Sequence, residues 1–197
     1  MALSRDNHHQ DKHLHVFGHG SLLHPTHKRG LSKTVPDHGL TFDSMKRARL
    51  EGYRRRLSAF APVEGEPSAQ FQAFWNVEAE ARASCLGVVF PVDEKVLREL
   101  DYRERRYVRM EVTDQVELLD AEFRLEESAV VFTYVCLPSE ELVRAARGVT
   151  GLSSEYEACV NEAAQELGQA YVTEVAAALE ETLEWPRLEV TRGPDQR

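Results

Sequence analysis

Two short segments carry the residues that could do chemistry. Residues 16–23 read V-F-G-H-G-S-L-L, and residues 101–107 read D-Y-R-E-R-R-Y. In the first segment an apolar strand runs into a glycine-flanked turn, whose backbone N–H groups could hold an anion. In the second, Glu104 lies among three arginines and two tyrosines, and a carboxylate in such surroundings could carry a proton. Together the segments predict a small enzyme that binds a zwitterionic substrate and moves protons.

The glycine turn has two interpretations. Gly18 and Gly20 flank His19, and glycine allows positive φ and close approach of a ligand to the backbone. The N–H groups of residues 19–22 could then point at a carboxylate, with the Ser21 hydroxyl as a further donor. A tight turn without a ligand fits equally well, because short glycine patterns are weak motifs. The pattern matches neither a Walker loop nor a nucleophile elbow, since Leu22 and Leu23 follow the serine.

Glu104 and Tyr156 are the other candidate site residues. Glu104 lies between a predicted short helix and a predicted strand, so we expect it at the mouth of a loop. The alternative is a surface carboxylate paired with arginine, which contributes little to stability. Residues 151–156 read G-L-S-S-E-Y, at the start of the last predicted helix, where a tyrosine can point into a cleft while its ring packs on the core. The alternative for Tyr156 is a core aromatic.

Length and composition indicate one globular domain. The chain has 197 residues, 42% hydrophobic and 29% charged, which suits a single folded domain with a real core. It has no apolar run of the ~18–20 residues that span a bilayer, and its first residues do not resemble a secretory signal. The three cysteines are odd in number and lack metal-ligand spacing, so we expect buried fillers in a reducing compartment. These features predict a protein of the cytosol or an organelle lumen, with the cytoplasm favoured, that does not act on a membrane.

Charge is unevenly distributed along the chain. The net charge is −9, with a balance of +6 over residues 1–60 and −15 over the rest, and all eight histidines precede residue 39. The basic part could form a face for an anionic ligand, but a basic strand packed beside an acidic helix is the favoured interpretation. The acidic total argues against a nucleic-acid partner. The histidine-rich residues 1–12 predict a flexible tail. His8, His9, His13 and His15 could bind a metal ion loosely, but an incidental solvated group is favoured because no cysteine or acidic partner lies at site spacing.

The order of patterns predicts an α+β domain over residues 13–187, followed by a tail over 188–197. Several short strands precede helices that are grouped late in the chain, which favours a small mixed sheet or barrel with helices packed against it. Asp93 is expected to cap the first helix, and a Ser154–Glu157 pair the last one. The predicted strands cover residues 14–17, 48–60, 70–77, 84–92, 107–119 and 129–137, and the predicted helices cover 94–104, 139–147 and 154–183.

Taken in order, these segments resemble the γ-glutamylcyclotransferases, most closely the ChaC-type, glutathione-specific branch. The family has a tyrosine where this chain has His19. The matching segments run from about residue 14 to residue 160, and they are His19-Gly20-Ser21-Leu22 preceded by Phe17 and Gly18, then Gly52–Arg56, Gly87–Phe90, Leu100–Glu104, Tyr107-Val108, and Gly151 with Glu155-Tyr156.

The resemblance implies an enzyme that needs no cofactor or metal. The substrate's own α-amine attacks its γ-carbonyl and closes a five-membered lactam, which releases 5-oxoproline and a free amine or peptide. Glu104 is implied as the proton carrier and glutathione as the leading small-molecule substrate. Two alternatives are a non-catalytic binding module on the same fold and an anion- or nucleic-acid-associated protein that uses the arginines at 47, 49 and 54–56. The implied substrate-binding residues are Phe17, Gly18, His19, Gly20, Ser21, Leu22, Tyr107 and Tyr156.

Overall fold

The structure, a computed structural model, describes residues 13–27, 30–33, 38–63, 71–146, 150–180 and 187–188. The predicted tail over residues 1–12, and all but one residue of that over 188–197, lie outside them. The strands are β1 (His13–Gly18), β2 (Lys46–Pro62), β3 (Phe71–Pro91), β4 (Val108–Glu111), β5 (Val116–Leu118), β6 (Ala129–Val135), β7 (Thr150–Ser153) and β8 (Arg187–Leu188). The helices are α1 (Glu94–Arg103), α2 (Glu140–Ala146), α3 (Ser154–Leu167) and α4 (Gln169–Glu180), with 3₁₀ turns at Gly20–Leu23, Leu31–Lys33 and Thr113–Gln115.

The strands form one mixed sheet that curls until its edges approach each other. Its order is β4-β6-β1-β3-β2-β5, and β7 and β8 extend it beyond β3. The two outermost strands of this path, β4 and β5, are consecutive in the chain and are joined by residues 112–115. A connection of that length spans at most roughly 17 Å, so the opposite edges must lie close together. The predicted α+β class with a small mixed sheet and packed helices is confirmed.

The two faces of the sheet carry separate core clusters, because neighbouring strand residues point to opposite faces. On β1, Val16 belongs to the cluster that also contains residues of α1, α3 and α4, whereas Phe17 belongs to the second cluster. The fully buried members of the second cluster come from the sheet and the segments between its strands, including Val77, Val89 and Val131. Helices therefore cover one face, and the sheet closes over the other.

The predicted long helix over residues 154–183 is wrong as a single element. Gly168 has a φ of 112° and separates α3 from α4, in a conformation that glycine adopts without the steric cost of a side chain. Its N–H donates to the Ala164 carbonyl, and its own carbonyl accepts the Tyr171 N–H. Helix α3 begins at Ser154 as predicted, but its N-cap is Ser153, whose side chain accepts the Tyr156 N–H, and not the predicted Ser154.

Two predicted strand boundaries also differ from the structure. The segments 70–77 and 84–92 belong to one strand, β3, in which residues 80–83 bulge outward where Gly52 of β2 takes a φ of 78°. The predicted strand over 107–119 is two strands, β4 and β5, interrupted by the Thr113–Gln115 turn. Hydrophobic alternation does not distinguish one strand from two that pair with opposite edges of a closed sheet.

Helix α1 forms as predicted and places Glu104 at its carboxyl end. The Asp93 side chain accepts the Val96 N–H and caps the helix. Glu104 is the C-cap residue, and its N–H donates to the Leu100 carbonyl. Among the described residues, none of the helices combines the length and the apolar character that crossing a membrane requires.

Candidate functional site

One open cleft contains most of the residues that the sequence nominated. Its empty volume, with the open mouth included, is about 820 Å³. It lies where β1, the start of β3, the end of β6, the carboxyl end of α1 and the first turn of α3 meet. The residues that line it are His19, Ser21, Leu22, Lys33, Gln72, Phe74, Trp75, Arg103, Glu104, Arg106, Tyr107, Tyr134 and Tyr156.

The glycine turn forms one wall of this cleft. Residues Gly20–Leu23 make a single 3₁₀ turn, in which the Leu22 N–H already donates to the His19 carbonyl. Of the four amides nominated for anion binding, that of Leu22 is therefore committed within the turn. Gly20 has a φ of 58°, and a Cβ there would lie 2.9 Å from the Tyr156 hydroxyl and 2.8 Å from the Trp75 Cβ. Only glycine fits at this position.

Two further nominated residues, Phe17 and Gly18, support the turn and, like Gly20, are not among the residues that line the cleft. The Phe17 side chain is completely buried in the sheet-only core cluster, because its neighbour Val16 already faces the helices. The Phe17 side chain therefore does not line the cleft, and a part for Phe17 in substrate binding stays a prediction. A Cβ on Gly18 would lie 2.9 Å from the Leu22 carbonyl oxygen, so this glycine allows the turn to fold back closely on β1.

Arg103 joins the Glu104 carboxylate to the glycine turn. Its Nε lies 2.8 Å from Glu104 Oε1, and its two terminal nitrogens donate to Ser21 Oγ and to the Gly30 carbonyl, each at 2.8 Å. The side chains of Glu104 and Arg103 are only 15% and 11% exposed. The expected arginine partner is therefore present, but the pair lies inside the cleft wall and not on the open surface.

Trp75 is the point where the two nominated tyrosines meet. The backbone N–H of Trp75 donates to the Tyr156 hydroxyl oxygen, and its backbone carbonyl accepts a hydrogen bond from the Tyr107 hydroxyl, both at 3.1 Å. The sheet register shifts beside it, where two residues of β2 face one of β3, and such bulges are common next to functional sites. The Tyr107 hydrogen is thus already used, whereas the Tyr156 hydroxyl accepts and keeps its own hydrogen for a ligand.

Both tyrosines remain protonated at ordinary pH. Burial raises the pKa of Tyr156, and the negative charge of Glu104 adds to that rise while the Trp75 N–H opposes it. Burial likewise raises the pKa of Tyr107, with the neighbouring Tyr156 and Glu104 adding to it. The Glu104 carboxylate therefore acts electrostatically on both tyrosine hydroxyls, and these two hydroxyls remain neutral beside the acid.

His19 is held as a neutral ring. Its Nε2 donates to the Tyr134 carbonyl at 2.8 Å, so the neutral tautomer carries its hydrogen on Nε2. Burial lowers the pKa of His19 to about 4, the Tyr134 carbonyl opposes this change, and the Arg55 charge adds to it. Within the described part of the chain, its Nδ1 is one of two buried side-chain nitrogens that lack a hydrogen-bond partner.

We expect the buried His19 to make the protein less stable in mild acid. The unfolded chain takes up a proton on this residue below about pH 6.5, whereas the folded chain does so only near pH 4. Stability therefore falls as the pH drops through this window, by about 3 kcal/mol at its lower end. Urea unfolding between pH 7 and pH 4 should show a smaller loss for His19→Gln, whose amide can still donate to Tyr134. Parallel pH profiles for the two proteins would contradict this expectation.

The basic strand β2 is paired mainly with other strands. In the ion pairs between described residues, its arginines contact carboxylates from β2 itself, from β3, from β5 and from the loop after β5. Arg55 contacts a helix, through Glu174 of α4 at 2.9 Å. The favoured interpretation of a basic strand beside an acidic helix therefore holds for Arg55 alone among the described pairs. The other described pairs are Arg47–Asp120, Arg49–Glu51, Arg49–Glu117, Arg54–Glu80, Arg56–Glu78 and Arg56–Glu80.

Several cleft residues were not nominated from the sequence. Arg103 could have been predicted from the sequence as a site residue, since it directly precedes Glu104 within a segment that matches the family pattern. Trp75 and Tyr134 carried none, because their participation depends on backbone groups that the sheet bulge and the end of β6 present to the cleft. Lys33 and Arg106 lie in turns, where the sequence alone does not show which way a side chain points.

The comparisons with known proteins bear on the fold. No protein-family model matches the chain, and a search of curated proteins found no match. Among solved structures, an uncharacterized human protein, loc79017, matches with a TM-score of 0.59 at 17% identity, over 93% of this chain and 94% of that one. A γ-glutamyl cyclotransferase matches with a TM-score of 0.52 at 14% identity, over 91% and 92% of the two chains.

These likenesses establish the architecture. A yeast γ-glutamyl cyclotransferase specific to glutathione also matches, at 14% identity over 86% of this chain and 99% of that one, but its TM-score of 0.48 is too low to support an argument. The chain has the γ-glutamyl cyclotransferase-like fold. Because one fold hosts many activities, the activity has to be argued from the cleft.

Proposed function

We propose that this protein is a γ-glutamylcyclotransferase that acts on a γ-glutamyl amide, with glutathione as the leading substrate. The observation that carries the proposal is the contact of one guanidinium, that of Arg103, with both the Glu104 carboxylate and the Ser21 hydroxyl of the glycine turn. A proton carrier and a polar turn thereby share one cleft. The fold likeness to a γ-glutamyl cyclotransferase supports the same assignment.

The proposed reaction is an intramolecular aminolysis. The α-amine nitrogen of the glutamyl group bonds to its own γ-carbonyl carbon, and the bond from that carbon to the amide nitrogen breaks. The α-ammonium loses two protons in becoming the lactam N–H, and the departing nitrogen gains two in leaving as an ammonium group, so a single carboxylate can take and return protons in turn. Because both reacting groups belong to one molecule, catalysis depends largely on holding a folded conformer.

Each cleft residue has a proposed role in that reaction. Glu104 carries the proton, at a position where its charge already acts on Tyr107 and Tyr156. Tyr156 donates a hydrogen bond to the substrate, since its hydroxyl hydrogen is not used by Trp75. Ser21, which Arg103 positions, holds the glutamyl carboxylate together with the turn around it. The three cysteines are buried and form no disulfide among the described residues, which supports a site of action in a reducing compartment such as the cytoplasm.

A binding module without catalysis is the second candidate. It is favoured by the 2.8 Å ion pair between Glu104 and Arg103, since a carboxylate held by an arginine can shape a binding site without transferring any proton. In that case γ-glutamyl compounds would bind and leave unchanged.

Incubation with glutathione separates the two candidates. We expect 5-oxoproline and cysteinylglycine to accumulate, read by mass spectrometry, with γ-glutamylalanine as a second substrate. The reaction should proceed equally in a chelating buffer, because no step requires a metal ion. Calorimetry that detects binding of both compounds while neither releases 5-oxoproline would favour the binding module.

A further inference from the structure

The cleft carries positive charge in a chain that is strongly negative overall. The net charge of the chain is −9, yet three basic residues and one acidic residue line the cleft, namely Lys33, Arg103, Arg106 and Glu104. His19 adds no charge near neutral pH, because burial lowers its pKa to about 4. A concave surface of one sign concentrates ligands of the opposite sign, so the cleft favours anionic compounds.

The three cations occupy two different depths. Arg103 is nearly buried and is bound to Glu104, Ser21 and the Gly30 carbonyl, so its charge is already balanced by the acid of the site. Arg106 and Lys33 belong to the exposed residues of the cleft lining. They come from the turn after α1 and from the Leu31–Lys33 turn, and so approach the opening from separate elements.

We infer that these outer cations, above all Arg106, select for a carboxylate on the departing part of the substrate. This inference rests on the proposed function, which holds the glutamyl group near Glu104 and leaves the remainder of the molecule pointing to the opening. A departing amino acid or short peptide brings a free carboxylate to that place, whereas a simple departing amine does not. The favoured substrate class is therefore γ-glutamyl amino acids and peptides over γ-glutamyl amines.

A matched pair of substrates tests the selection. γ-Glutamylalanine and γ-glutamylalaninamide differ only in a carboxylate that does not react. We expect the wild-type protein to prefer the acid in kcat/KM for 5-oxoproline release, and 0.5 M salt to weaken that preference. Arg106→Gln should lower the preference about two- to fivefold, as expected for one exposed charge pair, and Lys33→Gln should lower it in the same direction.

The control is Arg98→Gln on α1, whose side chain is 69% exposed, pairs with Glu94 and lies outside the cleft lining. This variant should keep the wild-type preference. Equal turnover of the two substrates, or a loss in Arg106→Gln that is equal for both, would overturn the inference while leaving the cyclotransferase proposal intact. If neither substrate releases 5-oxoproline, the cyclotransferase proposal fails, and calorimetric affinities for the same pair of compounds still decide whether the outer cations select the carboxylate.

Discussion

Replacing Glu104 by glutamine is expected to reduce 5-oxoproline release by about 10²- to 10⁴-fold, the usual contribution of a positioned acid–base group. Glutamine has nearly the same shape and can still accept a hydrogen bond from Arg103, but it cannot take a proton from the substrate α-ammonium. Arg103 also keeps its contacts to Ser21 and Gly30, so the cleft should stay folded. The loss should appear in kcat, with the calorimetric affinity for glutathione largely retained.

The matched control for this experiment is Glu99→Gln, an exposed glutamate on the same helix. It removes an equal charge from α1 without touching the cleft, so its turnover should equal that of the wild type. Comparable turnover in Glu104→Gln and Glu99→Gln would remove Glu104 as the proton carrier. A loss in Glu104→Gln together with collapsed near-ultraviolet circular dichroism would instead indicate a structural role for the ion pair.

Replacing Gly20 by alanine is expected to destabilise the protein and to impair the site together. The residue has a φ of 58°, which costs a side-chain-bearing residue about 1–2 kcal/mol. The added Cβ would lie 2.8 Å from Trp75 Cβ and 2.9 Å from the Tyr156 hydroxyl, and such overpacking costs a further ~1–3 kcal/mol. Because the displaced groups line the cleft, a shift of about 1 Å there can lower turnover roughly a hundredfold.

Gly52→Ala separates the two causes of that effect. Gly52 has a similar φ of 78°, but no atom lies within 4 Å of the position that a Cβ would take. Urea unfolding should therefore show a loss of about 1–2 kcal/mol for Gly52→Ala and a clearly larger one for Gly20→Ala. Equal losses in the two variants, with normal turnover in both, would mean that the turn is not held against Tyr156 as tightly as the structure indicates.

Residues 154–183 illustrate why element boundaries were harder to predict than element types. Apolar residues recur at helical spacing through this whole segment, because both α3 and α4 pack on the same core cluster. The break depends on the single residue Gly168, whose positive φ the periodicity does not report. Similarly, the acidic segment around residues 80–83 has a turn-like composition but forms a bulge, since Gly52 on the neighbouring strand accommodates it.

Local chemistry could be inferred from the order of residues alone. The glycine turn after β1, the Asp93 cap and the placement of Glu104 at the end of α1 each depend on interactions within a few positions, so short-range preferences suffice to predict them. Which side chains line the cleft depends instead on contacts between residues that are far apart in the sequence. Arg103 meets Ser21 across 82 positions, and Tyr156 meets Trp75 across 81. Those contacts exist because the closing sheet and its bulge bring separate elements together, which no local preference encodes.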